Sequence, residues 1–144
     1  MKIISKEKIK YINHLRNKKY REKFSKYVVE GEKIAIEYLK NLSNKIDMIC
    51  ATEEFYNKID NSLISKIPEK YFISFEIMKK LSELSTPSSV LLVVNYEKFN
   101  LNIEHILETD LILMLDNIQD YGNLGTIIRT ADWFGINYII CSPN

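Results

Sequence analysis

Residues 111–141 have the sequence LILMLDNIQDYGNLGTIIRTADWFGINYIIC, which indicates the fold class more clearly than any other part of the chain. The apolar run Leu111–Leu115 predicts a buried strand, and Tyr138–Cys141 predicts a second strand. Between them the spacing predicts a helix over Asn123–Phe134, which Gly135 ends. A strand, a helix and a strand on short connections are typical of the opening of a parallel sheet.

The predicted helix has two different faces. Apolar side chains at helical spacing predict a core stripe that consists of Leu124, Ile127, Ile128, Ala131 and Phe134. Thr126, Arg129 and Trp133 point nearly opposite to that stripe, at about 100° per residue. A large exposed aromatic beside an Arg favours a partner surface. The alternative is an Arg129–Asp132 surface pair, with Trp133 covered by another helix.

Upstream, residues 1–96 alternate helices with strands, which predicts a three-layer α/β/α domain. The predicted helices cover residues 6–14, 34–42, 53–58 and 77–84, and a further basic helix follows a turn at 16–21. The predicted strands cover residues 27–29, 46–51, 71–73 and 90–94. Residues 97–109 are polar and lack strong periodicity, so they are predicted to be a linker. Residues 110–144 then form the second unit. A lone strand–helix–strand unit cannot bury both faces of its sheet, which predicts a domain that continues past Asn144.

Positive charge is concentrated at the amino terminus. The whole chain has 20 Lys and Arg against 19 Asp and Glu, but residues 1–26 hold ten basic groups and two acidic ones, a net of +8. Such a segment suits a polyanion, because each cation that replaces a phosphate counterion gains release entropy. Aromatic side chains between the charges offer stacking surfaces, namely Tyr11, Tyr20, Phe24 and Tyr27. A solvated helix face or a basic disordered arm is the alternative, and Phe24 and Tyr27 also suit a core.

Several classes of protein are disfavoured by the sequence. The apolar runs are far shorter than the roughly 18 to 20 residues of a bilayer-spanning helix, and the start MKIISKEKIKY lacks the apolar block of a secretory signal, so a cytoplasmic protein is expected. Cys50 and Cys141 form no pair of a zinc or disulfide framework and are predicted to be buried thiols. His14 and His105 show no metal-ligand spacing, so no metal site is predicted. A nucleotide-binding enzyme is disfavoured because no phosphate-binding glycine motif is present.

The stretch Asn123–Ala131, with Leu115-Asp116 before it and Phe134-Gly135 after it, resembles the first signature motif of the SpoU (TrmH) RNA 2′-O-ribose methyltransferases of the SPOUT superfamily. Upstream residues resemble the substrate-binding domain of that family: Leu15-Arg16, Arg21, Phe24, Val28–Gly31 and Ser85–Pro87. The chain departs from the family at Ser88-Ser89, where members usually show a Gln-Gly pair.

The resemblance implies a ribosomal-protein-like RNA-binding domain followed by the first βαβ unit of a trefoil-knot methyltransferase domain, truncated before the knot. It implies S-adenosylmethionine as cofactor, held by later motifs and by no residue of this chain, ribosomal RNA as partner, and a homodimer formed through the methyltransferase domain. It also implies that Asn123 and Arg129 are catalytic. The 144 residues alone are then expected to be inactive.

The basic segment and the resemblance together predict RNA-binding residues at Arg16, Lys18, Lys19, Arg21, Lys23 and Glu30. The alternative function is a non-catalytic RNA-binding module of the kink-turn-binding ribosomal-protein type, which the first domain could be on its own. The methyltransferase requires a knotted donor-binding domain after this chain, whereas the RNA-binding module does not.

Overall fold

The computed structural model describes residues 2–96, 104, 106 and 111–142. The chain divides into two compact units, Met1–Lys98 and Phe99–Asn144. The predicted linker, residues 97–109, lies outside the described residues apart from Glu104 and Ile106, whose backbone is helical.

The first unit is a mixed five-stranded sheet between two layers of helices. Its elements are β1 Lys2–Ile3, α1 Lys6–His14, α2 Lys18–Phe24, β2 Lys26–Glu30, α3 Glu32–Asn41, a 3-10 turn at Ser43–Lys45, β3 Ile46–Ala51, α4 Glu53–Lys58, α5 Asn61–Ile64, β4 Glu69–Phe72, α6 Phe75–Leu81 and β5 Val90–Asn95. The strand order is β1-β4-β3-β5-β2. Strands β1, β4 and β3 run parallel, whereas β5 is antiparallel to both β3 and β2. The carboxyl ends of β2, β3 and β4 therefore meet at one edge.

The central strand β5 shows why the unit has three layers. Val90, Leu92 and Val94 pack into one apolar cluster, and Leu91 and Val93 pack into the other. All five side chains are fully buried, and each contributes about 1.5–3 kcal/mol to folding by removing apolar surface from water. One cluster is completed by α3, α4 and α5, and the other by α1 and α6. The predicted α/β/α architecture is confirmed.

The second unit contains β6 Leu113–Leu115, α7 Tyr121–Trp133 and β7 Ile139–Cys141. The two strands are parallel, with Leu113 beside Ile139, so the predicted strand–helix–strand arrangement is confirmed. Helix α7 begins two residues earlier than predicted. Asp120 caps it, because its carboxylate accepts the Asn123 backbone N–H at 2.7 Å.

Burial in the second unit differs from the prediction. Of the predicted core stripe, only Ala131 is buried, whereas Ile128 is 47% exposed and Phe134 is 75% exposed. The strand at Leu111–Leu115 was predicted to be buried, yet Met114 is 75% exposed. The physical reason is that a two-stranded sheet with one helix leaves apolar surface uncovered within the described part of this unit.

The two cysteines also differ. Cys50 is buried, as predicted, and burial raises the pKa of its thiol to about 12. Cys141 is exposed at the end of β7, so the prediction of a buried thiol there was wrong.

Across residues 2–96 and 111–142, no helix combines the length and the apolarity that crossing a bilayer requires.

Candidate nucleic-acid interface

The basic segment folds into the two helices α1 and α2. Ser5 caps α1, since its hydroxyl accepts the Lys8 backbone N–H at 3.2 Å, and Asn17 caps α2 by accepting the Lys19 N–H at 2.9 Å. The predicted helix over residues 6–14 and the second basic helix are both confirmed. Two capped helices fix the cations in a defined arrangement, so the alternative of a disordered basic arm is excluded.

Aromatic rings of these helices stack on one another. The His14 and Tyr20 rings are parallel with centroids 4.6 Å apart, the Tyr20 and Phe24 rings are parallel at 6.3 Å, and Phe24 meets Tyr11 edge-on at 5.3 Å. Phe24 remains 37% exposed. Three of the four aromatics, Tyr11, Tyr20 and Phe24, therefore form one cluster of rings, and its use as a stacking surface for RNA stays a prediction. Tyr11 and Tyr27 both also pack against the core, and Tyr27 shares a 2.9 Å hydroxyl hydrogen bond with Tyr38.

The cations predicted to bind RNA fall into two groups. Lys18, Lys19 and Lys23 are exposed, and no ion pair with a described acidic group holds them. Arg16 is half-buried, with its Nη1 3.5 Å from a Glu83 carboxylate oxygen. Arg21 turns inward, where its Nη1 donates to the Leu15 carbonyl at 3.4 Å and to the Arg16 carbonyl. The lysines are thus available to phosphates, while Arg21 holds the turn between α1 and α2 and Arg16 pairs with Glu83.

Arg21 should therefore contribute to stability. Arg21→Ala removes donors to two carbonyls at the end of α1, and we expect it to lower the free energy of unfolding by about 1 kcal/mol. Lys19→Ala, an exposed change on the same helix, should stay within about 0.5 kcal/mol. Urea unfolding followed by circular dichroism measures both, and equal stabilities would contradict this role for Arg21.

Glu30 lies at the carboxyl end of β2 and organises a distant segment. Its carboxylate accepts the Ser82 hydroxyl, the Glu83 N–H at 3.2 Å and the Ser88 N–H at 3.4 Å. These bonds fix residues 82–89 against the sheet edge, and the Glu83–Arg16 ion pair continues the network to the basic turn. Glu30 was predicted to be an RNA-binding residue, and its contacts in the structure are with this segment.

In the second unit, Arg129 extends back along α7 toward the start of the helix. Its Nη2 donates to the Thr126 hydroxyl at 3.1 Å, and Nη1 would lie 3.5 Å from a Cβ added at Gly125. The described residues show no ion pair between Arg129 and Asp132, so the alternative of a surface pair was wrong. Trp133 is 86% exposed. The face with Arg129 and Trp133 is open in this unit.

The start of α7 adjoins the carboxyl ends of β6 and β7. Asn117, with φ of +53°, donates its N–H to the Ser142 hydroxyl at 2.9 Å, and the Ser142 N–H donates to the Leu115 carbonyl at 2.9 Å. This edge of a parallel sheet is where open α/β folds bind ligands. Asn123 lies here, in the first turn of the helix. Sequence reasoning missed the capping role of Asp120, although an Asp directly before an apolar helical repeat is a standard signal.

Comparisons with known proteins identify the family of this chain and several similar proteins. A family model described as the MRM3-like substrate binding domain matches residues 6–92. The 23S rRNA (guanosine(2553)-2′-O)-methyltransferase RlmP of Bacillus subtilis is 29% identical over 93% of this chain and 50% of its own length. The human mitochondrial rRNA methyltransferase 3 is 26% identical over 88% of this chain and 31% of its own. The chain thus spans half or less of these two relatives.

Solved structures show the same fold. A TrmH-family protein from Porphyromonas gingivalis is 28% identical, with a TM-score of 0.71 over 96% of this chain and 52% of the other. An AdoMet-bound rRNA methyltransferase from Sinorhizobium meliloti is 24% identical, with a TM-score of 0.75 over 100% of this chain and 54% of the other.

Proposed function

Because this chain belongs to the family that carries the MRM3-like substrate binding domain, we propose that it is the N-terminal part of an S-adenosylmethionine-dependent methyltransferase that modifies ribose 2′-hydroxyls of ribosomal RNA. The observation that carries the proposal is the family match over residues 6–92, joined to the exposed lysines of α2. In this scheme the first unit binds RNA and the second supplies catalytic residues. The domains are 1–96 and 110–144, with 97–109 as the linker.

Arg129 suits a role in positioning the reacting ribose. Methyl transfer needs the hydroxyl oxygen in line with the methyl carbon and needs help with the hydroxyl proton. A guanidinium stays protonated in proteins, so it does not accept that proton. We assign Arg129 to clamping a neighbouring phosphate or polarising the hydroxyl. Asn123, at the ligand-binding edge of the sheet, would orient the ribose or the guanidinium.

The methyl donor needs more than the described residues offer. The cavity beside α7 measures about 270 Å³, and its only polar lining side chains are Thr126 and Thr130. The donor carries a carboxylate, an ammonium group, a ribose and an adenine. The described residues of the second unit do not fit it, so donor-binding groups would come from elsewhere in a full-length enzyme.

A homodimer through the methyltransferase domain is part of the proposal. Its support is the apolar surface that the second unit leaves open, above all Trp133 at 86%, Phe134 at 75% and Met114 at 75% exposed. Surface of this kind usually has a partner.

We also place the protein in the cytoplasm, because the bacterial relative acts on ribosomal RNA.

Ribose methylation has a direct chemical test. Alkali cleaves RNA through the free 2′-hydroxyl, so a methylated position resists cleavage. A full-length enzyme that contains this chain, given a methyl-labelled donor and transcribed 23S rRNA, should yield one labelled, alkali-resistant dinucleotide. Label that is lost to single nucleotides after alkali treatment would mean base methylation and would contradict the proposal.

A non-catalytic RNA-binding module is the second candidate. The observation that favours this candidate is that the family match over residues 6–92 lies within the first unit. RNA binding without any transfer of label from the donor, by a full-length protein, would decide for this candidate.

A further inference from the structure

One cavity of the first unit is lined by no residue of the basic helices α1 and α2. It measures about 560 Å³ and opens at the sheet edge where β3 and β4 end, beside the segment that Glu30 holds. Its lining consists of Glu32, Thr52, Glu54, Phe72, Ile73, Ser74, Phe75, Pro87, Ser88 and Ser89. A cavity of this volume is large enough for a small planar ligand.

The walls of the cavity are fixed by hydrogen bonds. The Thr52 N–H donates to the Ser89 carbonyl at 2.9 Å, and the Ser89 hydroxyl donates to the Glu32 carboxylate. The Ser88 N–H donates to the Glu30 carboxylate. The cavity is therefore formed before any ligand arrives, which reduces the entropic cost of binding.

The charge of the lining disfavours phosphate. Two carboxylates line the cavity, and no Lys or Arg does. The hydrogen bond from Lys58 lowers the pKa of Glu54, so this carboxylate is ionised at neutral pH. Ionised carboxylates only accept hydrogen bonds. The ligand must therefore present N–H or O–H donors and no negative charge at this point.

Aromatic and hydroxyl groups complete the lining. Phe75 is 50% exposed and Phe72 is 38% exposed, so both offer ring surface for stacking. Lys79 Nζ lies 5.1 Å from the Phe75 ring centroid. The buried Thr52 hydroxyl oxygen has no hydrogen-bond partner among the described residues. An unpaired RNA base has a planar face, donors and acceptors, and proteins read such bases by stacking and by hydrogen bonds to the base edge.

We propose that this cavity binds an unpaired guanine base of the RNA substrate, with Glu32 or Glu54 accepting the guanine N1–H and N2–H and with an exposed phenylalanine ring stacking on the base. The inference rests on the proposed RNA-binding function and assigns it a base-specific site. Guanine fits because its two donors are adjacent and match the two oxygens of one carboxylate. Uracil fits poorly, because two carbonyl oxygens flank its single N–H. The backbone phosphates stay outside the acidic cavity.

Inosine tests the contact between the carboxylate and the guanine N2 amino group, because inosine differs from guanosine only by the absence of that group. We expect the 144-residue chain to bind the pentanucleotide UUGUU about tenfold more tightly than UUIUU, as measured by fluorescence anisotropy. The double variant Glu32→Gln/Glu54→Gln should bring this ratio close to one. Loss of two negative charges strengthens binding of every RNA, but it does so equally for both pentanucleotides and leaves the ratio informative.

Glu53→Gln is the matched control, because Glu53 is an exposed neighbour on α4 that does not line the cavity. It should keep the tenfold ratio, and thermal melting should show all variants folded. A ratio near one in the unmodified chain, or a ratio that survives the double variant, overturns the guanine site alone. If no pentanucleotide or longer RNA binds, the RNA-binding function fails and this inference fails with it.

Discussion

Replacing Arg129 by Ala in a full-length enzyme that contains this chain should lower the single-turnover rate of ribose methylation by about a hundredfold or more. This is the scale expected when one preorganised electrostatic contact to a transition state is removed. Arg129 is also the only Lys or Arg in residues 99–144. Within this stretch, no second cation can replace its contact to a phosphate or hydroxyl.

The fold should tolerate this substitution. Arg129 is exposed, and its side chain donates one hydrogen bond to a neighbouring hydroxyl on the same helix. We expect a stability change within about 0.5 kcal/mol. Asp132→Ala, an exposed change on the same helix, is the matched control and should keep the methylation rate. A near-normal rate for Arg129→Ala would refute the catalytic assignment, and a large drop in melting temperature would give Arg129 a structural role.

Sequence reasoning placed the regular elements well where local signals are strong. The predicted strand Ile46–Ala51 and the predicted helices over residues 6–14 and 53–58 agree with the structure to the residue. Apolar side chains at fixed spacing and capping groups such as Ser5 mark such elements within a short window. Strand β1 was missed, because two residues are too few to show the alternation of apolar and polar side chains that marks a strand. It is defined only by its pairing with β4.

The site residues were harder to predict, because their partners are distant in sequence. Glu30 meets Ser82 and Ser88, which follow it by 52 and 58 residues. A one-dimensional pattern shows a carboxylate in a basic neighbourhood and cannot show these contacts. Arg21 resembles its lysine neighbours in a charge count, yet its rigid fork of donors suits the carbonyls at the end of a helix.

The division between structural arginines and free lysines leads to a sharp expectation for RNA binding. Changing Lys18, Lys19 and Lys23 together to Gln should lower the slope of log affinity against log salt by about two to three units, because each lysine that meets a phosphate contributes about 0.7 to 0.9. Relative to 1 M salt, this slope change corresponds to an affinity loss of about two to three orders of magnitude for structured RNA at 0.1 M salt. Filter binding across a salt series measures both quantities.

A change of three charges anywhere alters the long-range attraction of the protein to RNA, so the control must carry the same charge change. Lys40, Lys66 and Lys80 are exposed lysines of the first unit that lie on other elements or loops. Their replacement by Gln should leave the slope nearly unchanged, since counterion release requires contact and not only net charge. If both triple variants lower the slope equally, the +8 segment attracts RNA without contacting it. An unchanged slope in the α2 variant would remove this helix from the interface and leave the acidic, base-binding edge of the sheet as the part that meets RNA.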